Sequence, residues 1–292
     1  MSTVVGAILI LIVLREMFHQ LFHPAGWGTL SESIVRGVFL AARAVSRRGG
    51  RPLELAGPVG LLSVILTWGA LLAFGWALIY LPHLSTDFRF DDGARVAGEP
   101  RLVTGLYLSL VTLATLGYGD VTPITTWIRM LAPIEALMGF AWISAGITWV
   151  LSLFPVLARN RAFAQEVHLL AESDVLGAAG LHRLGETRAA ALLERLRTQT
   201  ITARIDMVHF SAAKYFRSGD DRTSLADAMH RLERLAREAQ DASLPEPVQL
   251  QGQLLGRALE DIAQTLCELL LRCSERPTRE ALTAYRRFER VG

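Results

Sequence analysis

Residues 102–123 read Leu102-Val-Thr-Gly-Leu-Tyr-Leu-Ser-Leu-Val-Thr-Leu-Ala-Thr115 followed by Leu116-Gly-Tyr-Gly-Asp120-Val-Thr-Pro123. The first part suits a helix that reaches half-way into a membrane. The second cannot continue it, because two glycines sit just ahead of a proline-containing turn. The stretch lies between two long apolar runs and is too short and too polar to cross a bilayer twice as helix. Non-helical backbone at membrane depth leaves carbonyls unpaired in lipid, so it must be enclosed by protein or face a water-filled path. The pattern asks for a re-entrant loop.

Working outward, Val59 to Leu81 carries no charge. At about 1.5 Å per residue it is long enough for a hydrocarbon core of about 30 Å. Gly57-Pro58 suits its start, and Trp76 and Tyr80 suit an interfacial belt at its far end. The second run, Trp127 to Leu157, contains Arg129, Pro133 and Glu135 near its start, is uncharged from Ala136 to Leu153, and is followed by Arg159 and Arg161. A third candidate, Val4 to Phe22, is uncharged only to Leu14. It lacks a basic leader and an Ala-x-Ala cleavage site, which favours an uncleaved anchor over a signal peptide; a helix lying in the interface is the alternative.

The whole chain fits this picture. Of its 292 residues 51% are hydrophobic and 20% charged, and its mean hydropathy is +0.31, too apolar for an ordinary soluble domain. A net charge of +2 gives no reason to expect a nucleic-acid partner. Cys267 and Cys273 have neither a CxxC nor a zinc spacing, and no disulfide framework is implied.

Charge asymmetry sets the orientation. Arg36, Arg43, Arg47, Arg48 and Arg51 precede Gly57, opposed by Glu32 and Glu54, whereas the 82–101 loop mixes Asp87, Asp91, Asp92 and Glu99 with Arg89, Arg95 and Arg101. The basic loop belongs in the cytosol of a plasma (inner) membrane protein. The N-terminus then lies outside if the first helix spans, and everything after Arg159 lies inside. Ile34, Val35, Val38, Phe39 and Ala42 recur at helical spacing within the basic loop, as in a short amphipathic helix at the inner surface.

With those residues in view, Leu102 to Asp120 resembles the pore helix and signature sequence of potassium channels, in the prokaryotic form with a two-helix pore module. The family carries Val where this chain has Leu116, and the ion-binding role of the loop is the family's, carried over. The resemblance covers roughly Gly57 to Arg159. It implies stacked oxygen rings from the carbonyls of Thr115, Leu116, Gly117 and Tyr118, with the Thr115 hydroxyl innermost and Asp120 at the outer mouth. Gly117 and Gly119 reach dihedrals closed to other residues, which lets successive carbonyls face one axis. One loop cannot surround an ion, so four subunits are needed. Potassium is then a permeant ion, no cofactor or other metal is required, and the partners are the lipid bilayer and three further copies.

Gly139 stands where relatives carry an inner-helix hinge, and Gly146 is a second hinge candidate; close helix packing is the other reading of both. Tyr107-Leu108 replace a Trp-Trp pair, Ala114 replaces a threonine, and Val111 replaces a glutamate found behind some filters. Asp120 therefore needs another partner. Glu135 has two readings. It supports the filter or senses pH as an intramembrane carboxylate, or it is wetted near the outer interface beside Arg129.

The fold class expected is an all-α membrane protein: a tetrameric potassium-channel pore module with a re-entrant pore helix and filter, plus an all-helical cytosolic domain. Its divisions are residues 1–56, with the marginal helix and amphipathic linker; 57–158, with an outer helix 59–81, pore helix 102–114, filter 115–120 and inner helix 127–157; and 159–292. In the last, Leu192, Leu193, Leu196, Ile201, Ile205 and Val208 follow one helical stripe, and Leu250, Leu254, Ala258, Ile262, Leu266, Leu269 and Leu270 another. Ser224 with Asp227 resembles a capping box. Breaks near Gly177 to Gly185, Ser218 to Asp221, Ser243 to Pro247 and Pro277 imply four or five helices. His168, His182, His209 and His230 form no ligand spacing. No arginine-studded voltage-sensing helix, nucleotide motif or catalytic set is present, so an enzyme is not expected. The competing function is a membrane-anchored helical signalling or scaffold subunit with a weakly conducting or modulatory pore.

Overall fold

The apolar runs fold as helices that extend beyond the limits their hydropathy suggests. The computed structural model describes residues 1–22, 29–46, 55–91, 99–210, 213, 215–216, 220–271 and 277–291. Arg47, Arg48, Arg51, Glu54, Asp92, Arg95, Ser218 and Cys273 lie outside them. The chain divides into two units, residues 1–37 with 59–151 and residues 38–58 with 152–292.

The first unit holds α1 (Ser2–Phe22), the start of α2 (Thr29–Ser46), α3 (Ala56–Tyr80), α4 (Arg101–Leu113) and the first part of α5 (Thr126–Glu172). The helices α1, α3 and α5 are each long and apolar enough to cross a membrane. The α1 helix meets α3 where Gly6 lies against the Gly75 backbone and Gly75 against Ile10, so small residues let the two helices approach closely. The α3 and α5 helices are joined by aromatic contacts: Trp68 stacks on Trp149 with centroids 5.8 Å apart, and the Trp142 indole Nε1 donates to the Ile65 carbonyl at 2.9 Å. A short antiparallel pair completes the unit, β1 (Phe88–Phe90) against β2 (Val121–Pro123), with Phe88 opposite Pro123 and Phe90 opposite Val121.

The inner helix does not stop at Leu157, as its hydropathy predicts, but runs on to Glu172. The reason is packing: past the apolar run, Phe163, Ala164 and Val167 are buried in the core of the second unit, and Arg159 forms a two-pronged pair with Asp206 at 2.7 and 3.1 Å. Pro155 sits inside this helix and has no amide to close on the Leu151 carbonyl. The boundary between the two units falls at that turn.

The second unit adds α6 (Ala178–Leu184), α7 (Glu186–His209), α8 (Leu225–Glu238), α9 (Glu246–Leu266) and α10 (Thr278–Val291). Ser224 caps α8 as its spacing predicts, its Oγ accepting from the Asp227 amide at 3.2 Å. The two apolar stripes are phased differently from the sequence expectation. On α7 the buried positions are Ala189, Leu193, Leu196, Thr200 and Ala203, and Ile201 and Ile205 are each 42% exposed. On α9 they are Val248, Gly252, Leu255, Leu259 and Ile262, with Leu250 outside. Steps of three and four hold a face at 3.6 residues per turn, so small residues in phase are buried ahead of large ones out of phase. From the other end of the unit, Phe39 of α2 packs against Tyr215 and Phe288, with centroids 5.4 and 5.7 Å apart.

Candidate functional site

The α4 helix is a short wedge with a well-defined stop. Ala114 donates to the Leu110 carbonyl, Thr115 to Thr112 and Leu116 to Val111, each at 2.9 Å, which closes the last turn. Thr115 then takes a left-handed φ of 57°. For a β-branched residue this is a strained conformation, of the order of 1–3 kcal/mol, and such strain clusters at functional sites. Gly117 and Gly119 follow with φ of 55° and 81°. Left-handed residues therefore alternate with Leu116 and Tyr118, which are not left-handed.

That alternation has a direct geometric consequence. In an ordinary strand successive carbonyls point to opposite edges. Where left- and right-handed residues alternate, successive amides gather on one edge, as in anion-binding nests. The carbonyls, antiparallel to the amides across each peptide plane, then gather on the other, and an edge of converging carbonyl oxygens is a cation-binding surface. Leu116 and Tyr118 are 56% and 65% exposed, and no described atom lies within 4 Å of where a Cβ on Gly117 or Gly119 would sit.

The far end of the strand is tied down. Asp91 donates its amide to the Asp120 carbonyl at 2.9 Å, and Ile124 donates to the Asp87 carbonyl at 2.8 Å, on either side of the β1–β2 ladder. The Tyr107 hydroxyl donates to Asp120 Oδ2 at 2.6 Å. Asp120 thus has the partner that the missing tryptophans and glutamate left open. His83 braces the same loop: its Nδ1 lies 2.7 Å from Asp87 Oδ2, and its ring meets Trp127 edge-on at 4.6 Å.

Behind the wedge, Glu135 is 0% exposed. Its Oε2 accepts from the Tyr80 hydroxyl and its Oε1 from Ser109 Oγ, both at 2.6 Å. The reading in which Glu135 is wetted at an outer interface is therefore corrected: the α3 and α4 helices cover it and supply both donors. Gly139, one turn later, lies so close to the Leu113 carbonyl that any side chain would collide with backbone. A Cβ on Gly146 would stand 3.3 Å from Ile65. Both glycines lie on the packed face of α5, where close approach accounts for them.

Residues 65–154, which include the strand and the helices around it, match the family model described as Ion channel. This segment is an ion-channel domain. The domain resembles potassium channels in particular: 71 residues are 38% identical to Two-pore potassium channel 5 of Arabidopsis thaliana, over 23% of this chain and 17% of that protein. Protein LctB of Bacillus caldotenax is 37% identical over 83 residues, 27% of this chain and 61% of LctB. A longer match, 26% identical over 153 residues, joins 52% of this chain to 43% of the uncharacterized membrane protein YdjJ of Bacillus subtilis (strain 168). The chain spans less than half the length of YdjJ and of the plant channel. No solved structure matches it.

Three residues of the channel domain were not singled out in sequence for the roles they take. Tyr107 was noted only as a departure, Tyr80 only as an interfacial aromatic, and Ser109 not at all. The signal for Ser109 is a small hydroxyl set between Leu108 and Leu110 on α4, where a buried polar group requires a partner. Among the described residues no three His, Cys, Asp or Glu side chains gather as metal ligands.

Proposed function

We propose that this chain is one subunit of a homotetrameric, potassium-selective channel, with Thr115, Leu116, Gly117, Tyr118, Gly119 and Asp120 as its ion-selecting strand. The observation that carries the reading is the left-handed backbone at 115, 117 and 119, which turns carbonyl oxygens to one edge where they replace the hydration shell of an entering ion. Similarity to a two-pore potassium channel supports the choice of ion.

Four copies follow from what one copy lacks. A single carbonyl edge offers an ion one side of a coordination shell. Leu116, Tyr118, Leu137 and Phe140 are all exposed in the single chain. On α5 the exposed row Leu137, Phe140, Ile147, Leu151 and Phe154 lies opposite the buried row through Glu135, Trp149 and Leu153. The upper part of that row suits contact with a neighbouring subunit, and the lower part an apolar-walled vestibule below the filter.

In this reading α1, α3 and α5 span a plasma membrane with α4 re-entrant from the outer side. The N-terminus lies outside, and the basic loop and the C-terminal unit lie in the cytosol. The packing of Phe39 on Tyr215 and Phe288 supports a common side for the last two. Gly139 and Gly146 remain the hinge candidates of α5, each also in close contact with its surroundings, and Pro155 marks a further weak turn of the helix.

The test is potassium against sodium flux through purified protein in liposomes, with Gly117→Ala as a paired variant. Alanine at a left-handed position costs roughly 1–2 kcal/mol, or about 4–8 kcal/mol over four copies, so selective flux should disappear in an oligomer that still assembles. Equal potassium and sodium flux in the natural protein would defeat the selectivity assignment. Absence of any flux would favour the signalling or scaffold reading.

A further inference from the structure

We propose that Glu135 is the positioning residue of the filter: its carboxylate bolts the α4 wedge between α3 and α5 and so fixes where the 115–120 strand begins. This rests on the reading of that strand as the ion-selecting element. Three elements meet at one carboxylate, with each oxygen taking one short bond, from Tyr80 on α3 and from Ser109 on α4. Tyr80, Ser109 and Glu135 are all essentially sealed from solvent.

The register of the contacts shows what the bolt holds. Glu135 and Gly139 are four residues apart on α5, and their partners Ser109 and Leu113 are four apart on α4, so the two helices run side by side in the same direction over one turn. The Gly139–Leu113 contact is a steric stop without a polar tie. At the outer end of α4, Arg101 Nη2 donates to the Leu81 carbonyl at 3.0 Å and to Ser85 Oγ at 3.1 Å, but these bonds are exposed. The Ser109–Glu135 bond is the buried side-chain tie from α4 to another helix among the described residues.

Its leverage on the strand is short. The carbonyls of Leu110, Val111 and Thr112, the three residues after Ser109, accept the amides of Ala114, Leu116 and Thr115. A slip of α4 along α5 therefore carries the start of the strand with it. Glutamine at 135 keeps one acceptor oxygen and replaces the other by a donor, so one of the two hydroxyls loses its carboxylate. Alanine at 109 removes a single oxygen and leaves Glu135 Oε1 without that donor.

The test uses full-length oligomer and reads hydrogen–deuterium exchange by peptide, alongside potassium and sodium permeability. In Glu135→Gln and Ser109→Ala the amides of 115–120 should exchange about tenfold faster, with α1 and α7 to α9 unchanged, and the potassium-to-sodium permeability ratio should fall about tenfold. Leu72→Ala, a cavity in the same unit away from the bolt, should speed exchange in α3 and leave 115–120 as it was. Should Glu135→Gln fail to assemble, Ser109→Ala carries the comparison alone. Unchanged exchange at 115–120 in the assembled variants, or an increase spread evenly through the unit, overturns the proposal. A natural protein that shows no ion selectivity but still shows the local exchange change would sink the channel reading and leave the bolt standing.

Discussion

The two units of this protein satisfy their residues in opposite ways. The C-terminal unit closes on itself, with Leu193, Leu232, Leu255 and Ile262 buried in one helical core. The channel unit leaves Leu116, Tyr118, Leu137 and Phe140 exposed and holds its strand by a few polar bonds at the ends. One unit buries its large apolar side chains within the single chain, and the other leaves several of them exposed. The stability of the first should depend on volume in its core, and the function of the second on a handful of donors and acceptors.

The largest expected effect that separates them is a core deletion. Leu255→Ala should lower the stability of the C-terminal unit by about 2–5 kcal/mol, read as a lower thermal transition in detergent. Potassium flux well below that transition should be unchanged. Flux lost in parallel with the C-terminal transition would show that the channel unit leans on its neighbour for stability and would break the comparison.

A smaller effect is expected on the channel side. Tyr107→Phe removes the only side-chain donor that the described residues offer to Asp120 Oδ2 and keeps the ring. The bond is exposed to water, so its loss should lower the potassium-to-sodium permeability ratio modestly, at an unchanged C-terminal melting point. An unaltered ratio would mean that the backbone tie from Asp91 to the Asp120 carbonyl suffices to hold the outer end of the strand.

What the sequence disclosed follows the same divide. The short helix before the glycines, the two long apolar helices and the break at Gly117 and Gly119 were legible because each is local: a charge-free run, a helix of half the usual length, glycines ahead of a proline. The partners were not. Nothing in the chain between Ser109 and Glu135, 26 positions apart, or between Tyr80 and Glu135, 55 apart, encodes that their oxygens meet. Only the rule that a buried carboxylate needs donors pointed that way. Among the described residues of the C-terminal unit the helical character and the Ser224 cap were legible, whereas the buried face of α7 was not. Ile201 and Ile205 outweigh Ala189 and Ala203 in any hydropathy tally, yet phase, not size, decides which face is covered.

The smallest effect concerns a partly buried carboxylate of the C-terminal unit. Glu289, on α10, accepts from Ser224 Oγ at 2.7 Å. Burial pushes its carboxyl above the ordinary value, while hydrogen bonds from Ser224 and Tyr285 pull it down. A carboxyl raised in the fold binds its proton more tightly there than in the unfolded chain. Its contribution is then fully present below the unfolded value of about 4.3 and is lost as pH rises through the raised folded value. Glu289→Gln removes that titration, so from pH 4 to 8 the C-terminal transition of the variant should fall less steeply than that of the natural protein. The channel unit, where this side chain has no part, should show no difference between the two. Parallel transitions across that range would mean that the Ser224 and Tyr285 bonds offset the cost of burial.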